Sequence, residues 1–301
     1  MLMNAVRHHP PGGPASLAYE QVEQPMPQPG EALVRVHAAA VTRDELDWPA
    51  DRLPATPSYE FSGVIAAVEP DADKVEVGEP VYALHDFDRE GAAAEYTTIP
   101  LKLLAPKPRS LGHVESAALP LAGLSAWQGL FVHGELTEVE RVLVHGAAGG
   151  VGHVAVQLAR ARGAYVIGTA SAAGIDAVRR LGAHEVIDSS QRFADVVENV
   201  DLVFDTAGGE RLERSPAVLR PGGRLVSVAA EPPRRRGIES SYFVVEPNRE
   251  QLVELGRLAD EGELRPAIDE VFPLADARRA FERSLGDHRR GKIVLRIADE
   301  G

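Results

Sequence analysis

The chain has 301 residues, a hydrophobic content of 44% and a formal net charge of -13. That is length for two domains and an ordinary globular composition, with an acidic balance that argues against nucleic acid or an anionic membrane surface as partner. The absence of cysteine excludes disulfides, thiolate catalysis and cysteine-ligated zinc.

The opening MLMNAVRHHPPGG lacks the apolar stretch of a secretory leader, and nowhere do about eighteen apolar residues run together. The expectation is a cytoplasmic protein. Up to about residue 110, short apolar segments are punctuated by Pro and Gly: 31–38, 61–68, 80–84 and 94–99. Short strands between turn signals suggest a small β-rich barrel or sandwich, and no helical period appears before residue 113. From Val114 to His133 the pattern becomes Ala- and Leu-rich with helical spacing, and Pro120 suits a helix start.

From Arg141, strands and helices alternate. Val142-Leu143-Val144 is a continuous apolar run that suits a strand buried on both faces. A turn containing Gly146, Gly149, Gly150 and Gly152 follows, and then Val151, Val154, Ala155, Leu158 and Ala159 recur at helical spacing. Tyr165-Val166-Ile167 reads as the next strand. Strand, glycine turn, helix and strand within about thirty residues is the context a dinucleotide fingerprint requires, because the turn offers bare N–H groups and a helix N-terminus to a phosphate. Gly149 and Gly152 match the last two glycines of G-x-G-x-x-G; the first position is Ala147, so the turn differs and Gly146 supplies its freedom.

A helix near 175–181, strands at 185–187 and 202–204, a helix near 210–219 ended by Pro221-Gly222, and a strand over 223–228 continue the alternation. This implies a doubly wound parallel sheet. A helix over 248–260 capped by Asn248, one more over 273–285, and a strand at 292–297 close the chain. That last strand could complete either sheet.

The segments VLVHGAAGGVGHVAVQLARARGA, LGAHEVIDSS, DLVFDTAGGE, PGGRLVSV and RGKIVLRI, together with GEALVRVHAAAV and ESAALPLAGLSAWQGLF, resemble the zinc-independent quinone oxidoreductase branch of the medium-chain dehydrogenase/reductase superfamily. The resemblance covers nearly the whole chain. It implies an α/β protein in two parts: a GroES-like β-rich catalytic domain from residues 1–113 and 262–301, and a Rossmann domain with a doubly wound parallel sheet, 114–261, binding NADP(H). It also implies a homodimer and a quinone or α,β-unsaturated carbonyl as small-molecule substrate. An enoyl reductase of a biosynthetic pathway and a non-catalytic NADPH-binding protein are the alternatives.

No metal is expected. Pro57-Ser58-Tyr59-Glu60-Phe61-Ser62-Gly63 lies where zinc-dependent relatives carry a Gly-His-Glu motif, and the ten histidines lack the spacing of a site. Without a metal to hold an alkoxide, hydride addition to a conjugated carbonyl suits the chain better than alcohol oxidation.

The resemblance places Gly149, Gly150, Val151 and Gly152 at the pyrophosphate, and Ser125 near the nicotinamide ribose. Thr206, Ala207, Val228, Ala229, Phe243 and Val244 would line the adenosine and nicotinamide. The second strand ends in Thr169-Ala170-Ser171, with no carboxylate to repel a 2′-phosphate, which favours NADP. The family's lysine shortly after it is replaced by Ala173-Gly174, and Ser189 stands where an aromatic is common. Arg179, Arg180 or Arg192 are the expected substitutes. Thr42 replaces the family's Asn, and Tyr59 is the candidate for a hydrogen bond to the substrate carbonyl. Asp44 and Glu60 are expected to order the cleft loops, and the short segment 43–56 implies an open cleft.

Overall fold

The computed structural model describes residues 1–48, 51–69, 75–286 and 290–299. Seven strands precede the first helix: β1 (Leu2–His8), β2 (Leu17–Glu23), β3 (Glu31–Val41), β4 (Glu60–Val68), β5 (Pro80–Leu84), β6 (Tyr96–Pro100) and β7 (Ala105–Pro106). Among the described residues of this part the only helical pieces are 3-10 turns of three residues, as the missing helical period predicts. Next come α1 (His113–Ala117) and α2 (Pro120–Trp127), which runs on as a π-helical turn over Gln128–His133.

The alternating part is β8 (Arg141–His145), α3 (Gly152–Ala161), β9 (Tyr165–Ala170), α4 (Ile175–Arg180), β10 (Glu185–Asp188), β11 (Val200–Asp205), α5 (Gly209–Arg214), β12 (Leu219–Ser227) and β13 (Glu239–Tyr242). The chain ends with α6 (Arg249–Asp260), β14 (Ile268–Pro273), α7 (Ala277–Leu285) and β15 (Lys292–Arg296).

The strands from β8 to β13 form one parallel sheet in the order β10-β9-β8-β11-β12-β13. Its strands are apolar on both faces because helices cover both. Val142 and Val144 pack with α2, α3 and Phe204, while Leu143, Ile167, Val203 and Leu225 pack with Leu212 and Phe193 beneath. The other large sheet is built on β3, which pairs with β4, β6 and β15, all antiparallel; β14 joins it through β15. The last strand therefore belongs to the sheet of the amino-terminal part. This is a GroES-like domain with a Rossmann-like parallel-sheet domain, as the resemblance implies.

Several elements differ from the sequence reading. The helix expected over 210–219 stops at Arg214, and Leu219 already pairs in β12. Pro216 is the cause, since its ring removes the N–H that the next helical turn needs. The helix expected from Pro273 starts at Ala277 after a 3-10 turn, because Phe272 and Pro273 complete β14. The β1–β2 hairpin and β13 carry too little apolar alternation to have been read. Asn248 does cap α6: its side chain accepts from the Gln251 N–H at 2.9 Å.

Three histidines are buried neutral. His85 holds Thr97 at 3.1 Å, His145 lies between Thr169 (3.2 Å) and Ser215 (3.0 Å), and His153 lies between the Gly149 carbonyl and the Ala267 N–H, both at 2.9 Å. Burial pushes their pKa down to about 3, 3 and 4 from 6.5. A lowered folded pKa means that the unfolded chain binds more protons, so stability is full above pH 6.5 and is lost as pH falls toward 4. Each such histidine contributes a slope of about 1.4 kcal/mol per pH unit in that window. The urea midpoint is expected to drop steeply between pH 7 and pH 5, and His145→Asn to lessen the slope by about one proton. A midpoint that stays level across that range would contradict neutral burial.

Candidate active site

The glycine turn between β8 and α3 is shaped by contacts that only glycine permits. Gly146 has φ +71°, and a Cβ on Gly152 would stand 2.2 Å from the Gly146 carbonyl oxygen. The close crossing lets α3 begin directly over the end of β8. Gly149 donates to the Gly146 carbonyl at 2.8 Å, whereas the N–H groups of Gly150 and Val151 have no backbone acceptor among the described residues. Two such donors at a helix start form a cradle that a phosphate fits.

A cavity of about 910 Å³ opens in front of this turn. Of the residues expected from the sequence, it is lined by Thr42, Ser125, Gly149, Gly150, Val151, Ser171, Ser189, Thr206, Ala207, Val228, Ala229, Phe243 and Val244. They come from eight separate stretches of chain, which only the closed fold brings together. Asp205 organises one of these loops. Buried at the end of β11, it accepts from the Gly208 N–H (3.0 Å), the Ala207 N–H (3.3 Å) and Ser227 Oγ (2.9 Å), and burial raises its pKa.

Gly152, Tyr59 and the three expected arginines, Arg179, Arg180 and Arg192, stand outside the lining. Gly152 lies behind the turn, where its contribution is the close contact just described. Arg192 is exposed and faces Asp195 at 4.0 Å; Arg179 faces Asp176 at 3.4 Å and is likewise outside the cavity. Tyr59 is fully buried, and its hydroxyl has no hydrogen-bond partner among the described residues. Its ring packs on Trp48 (5.6 Å) and Phe87 (5.4 Å), and burial pushes its pKa up to about 12. Trp48 and Phe87 face the cavity, so Tyr59 is one layer behind the wall. Sequence spacing could not show this, because the aromatic in front of it arrives from a loop 28 positions later and another 11 positions earlier. Of segment 43–56, residues 49 and 50 lie outside the described residues, and Trp48 from that segment closes this side.

The residue the sequence reading passed over is Lys292. Its ammonium group lies 2.6 Å from Glu60 Oε1 and donates to Thr42 Oγ at 3.1 Å, while Glu60 Oε2 accepts from the Leu121 N–H at 2.8 Å. Lys292 is 5% exposed and Glu60 0%, yet Lys292 lines the cavity beside Gly150. Thr42 Oγ accepts from the lysine, which leaves its own proton free to point elsewhere. Glu45 lies behind this group, fully buried. Its Oε1 accepts from the Ser58 N–H at 3.1 Å, and burial holds its pKa well above the usual carboxylate range. Asp44 lines the open side of the cavity. Among the described residues no three of His, Asp and Glu converge in a way that could hold a metal ion.

Comparison with known proteins agrees with this architecture. Residues 28–109 match the alcohol dehydrogenase GroES-like domain, and residues 181–295 match the zinc-binding dehydrogenase family. The chain is 30% identical over 304 residues to the Arthroderma benhamiae protein named "Probable zinc-binding oxidoreductase, mitochondrial", covering 91% of this chain and 92% of that one. It is 34% identical over 256 residues to the chloroplastic NADPH-dependent alkenal/one oxidoreductase of Arabidopsis thaliana, covering 81% of this chain and 64% of that one. The solved structure of the quinone oxidoreductase from Coxiella burnetii superposes with a TM-score of 0.93 at 29% identity, over 99% of this chain and all of the other. The chain belongs to the medium-chain dehydrogenase/reductase superfamily, whose members are nicotinamide-dependent oxidoreductases.

The ion pair at the cavity floor makes a specific expectation. Lys292→Met leaves the Glu60 carboxylate buried and unpaired, and should cost roughly 3–5 kcal/mol. Adding Glu60→Leu should recover most of that stability while leaving the cavity without its cation. Urea unfolding of the wild type, both single variants and the pair gives the coupling directly; additive losses would show that the two charges do not depend on one another.

Proposed function

We propose that the protein is an NADPH-dependent reductase that transfers hydride to a quinone or an α,β-unsaturated carbonyl without zinc. The observation that carries this reading is one cavity that joins an anion cradle, a buried cation and an aromatic wall. When bound, the nicotinamide supplies the hydride; the protein supplies position and polarity. Gly150 and Val151 would hold the pyrophosphate from the turn, and Ser125, Thr206, Val228 and Phe243 would border the ribose and the nicotinamide ring. Trp48 and Phe87 offer a flat apolar surface suited to a planar acceptor.

Hydride addition leaves negative charge on the acceptor oxygen. Thr42, its hydroxyl already accepting from Lys292, would donate a hydrogen bond to that oxygen, the proton that completes the reduction comes from water, and the ammonium group behind Thr42 favours the anion. A metal is not required for this, and the chain lacks the cysteine and histidine ligands that would hold one at positions 58–60. The cofactor preference for NADPH is supported by the end of β9, where the cavity is lined by Ser171 and not by a carboxylate.

The same reading includes a homodimer. β13 is one edge of the parallel sheet, and Tyr242 at its end is 40% exposed, which suits edge-to-edge pairing with a second copy. Sedimentation should give a dimer mass that Ser241→Pro, within that edge, converts to monomer; a monomeric wild type removes this part. The catalytic part is tested by loss of reduced-nicotinamide absorbance with a panel of quinones and enones. Turnover of at least one class is expected, with Thr42→Val lowering kcat more than it raises KM. Saturable NADPH binding with no turnover across the panel would replace the reductase with a nucleotide-binding protein.

A further inference from the structure

We propose that Arg211 is the residue that binds the 2′-phosphate of the adenosine ribose and thereby sets the choice of NADPH over NADH. The inference rests on the reading of the cavity as a dinucleotide site, and it fills a gap which that reading leaves. The uncharged end of β9 permits a 2′-phosphate but supplies no cation for it. None of the arginines expected to supply one lines the cavity, and two of them face acidic side chains of their own.

Arg211 does line it, from the first turn of α5. Its guanidinium donates to the Ser189 carbonyl at 3.2 Å, and the Ser189 N–H donates to the Ala170 carbonyl at 2.7 Å. These two hydrogen bonds tie the arginine to the ends of β10 and β9, beside Ser171. Arg211 forms no ion pair among the described residues, although its neighbour Arg214 pairs with Glu210 in the same short helix. A guanidinium has five N–H donors, and only one is used here. The remainder form a planar fork that suits two oxygens of a phosphate.

The acidic groups nearby leave this end of the cavity clear. Asp205 is turned inward onto the 207–208 amides and Ser227. Asp188 is held by the N–H and hydroxyl of Ser190 and does not line the cavity. Asp44, the one acid in the lining, is in the loop that carries Trp48. Ser171 and Ser189 add neutral polar groups on either side, so the arginine is the only full charge presented to the ribose among the described residues of this end.

The test uses fragments of the cofactor and needs no turnover. Calorimetric titration of the full chain with 2′,5′-ADP and with 5′-AMP measures the contribution of the 2′-phosphate alone, and titration with NADPH and NADH repeats it on the whole dinucleotides. The wild type should prefer the 2′-phosphorylated ligand in both pairs. Arg211→Gln should weaken 2′,5′-ADP by roughly 30-fold, as expected for losing charge-assisted hydrogen bonds, with 5′-AMP changed by no more than about 2-fold. Arg211→Lys, which keeps the charge but not the fork, should fall between.

A wild type that binds 2′,5′-ADP and 5′-AMP equally would remove the NADPH preference itself. A wild-type preference that survives in Arg211→Gln would overturn the assignment to Arg211 and leave the preference standing. Equal weakening of both fragments would also overturn it, because it would show that Arg211 supports the loop and does not touch the phosphate.

Discussion

The structure depends on a junction at the start of its last strand. The Gly291 N–H donates to the Ala148 carbonyl in the glycine turn at 3.0 Å, and the Lys292 N–H donates to the Ala267 carbonyl at 2.8 Å. Ala267 in turn donates to His153, which accepts with one ring nitrogen and holds the Gly149 carbonyl with the other. Gly291 has φ +84°, and a Cβ there would lie 2.0 Å from the Ala267 oxygen, so no other residue fits. One dipeptide at the start of the last strand is thus bonded both to the glycine turn and to the segment that returns from α6. The position of the turn relative to the cavity wall follows from these few bonds.

The Lys292–Glu60 pair sits on the same junction, and its burial has a cost. Taking an ammonium and a carboxylate out of water is unfavourable unless the remaining donors and acceptors are used. Here several are used: Glu60 is held by Lys292 and the Leu121 N–H, and Lys292 also by Thr42. The pair therefore connects β15, β4, the end of β3 and α2. Glu45, next in line with one oxygen unpaired, avoids the cost in another way, since its raised pKa favours the neutral acid. A cluster with two carboxyl groups and one cation can then stay close to neutral, and a cation is kept at the cavity floor without drawing in water.

The legible part of this molecule was the part governed by short-range periodicity. The apolar runs at 142–144, 165–167 and 202–204 are strands of the parallel sheet, and the glycine spacing gave the turn between β8 and α3. The β1–β2 hairpin escaped because its residues alternate weakly: the side chains of β2 are half exposed or fully exposed throughout. The site was legible where one loop contributes one backbone group, as at Gly149 to Val151. It was not legible where a side chain's role depends on what packs in front of it. Tyr59 and Thr42 are both polar residues at strand ends, but Trp48 and Phe87 cover the first, whereas the second lines the cavity. Lys292 reads in the sequence as the start of the final strand, and only its pairing with Glu60, 232 positions earlier, reveals a buried charge.

Of the three cations that line the cavity, Arg43 donates to the Leu285 carbonyl, and Lys292 and Arg211 are held differently, for a reason that lies in their burial. Lys292 is almost wholly removed from water and must be paired in the resting protein, because an unpaired ammonium there would be expelled or neutralised. Its charge is already shared with Glu60, so its effect on a bound anion is a matter of position and short range. Arg211 keeps part of its surface in solvent and can remain unpaired until a ligand arrives, since a guanidinium is weakly hydrated and gives up its water at little cost. Across a chain of net charge -13, the average field repels a dinucleotide, yet salt screens that field beyond about 8–10 Å. Attraction for an anionic ligand is consequently a local property. On the proposed reading it resides in the backbone amides of the turn and in the cationic side chains of the lining, Arg43, Lys292 and Arg211.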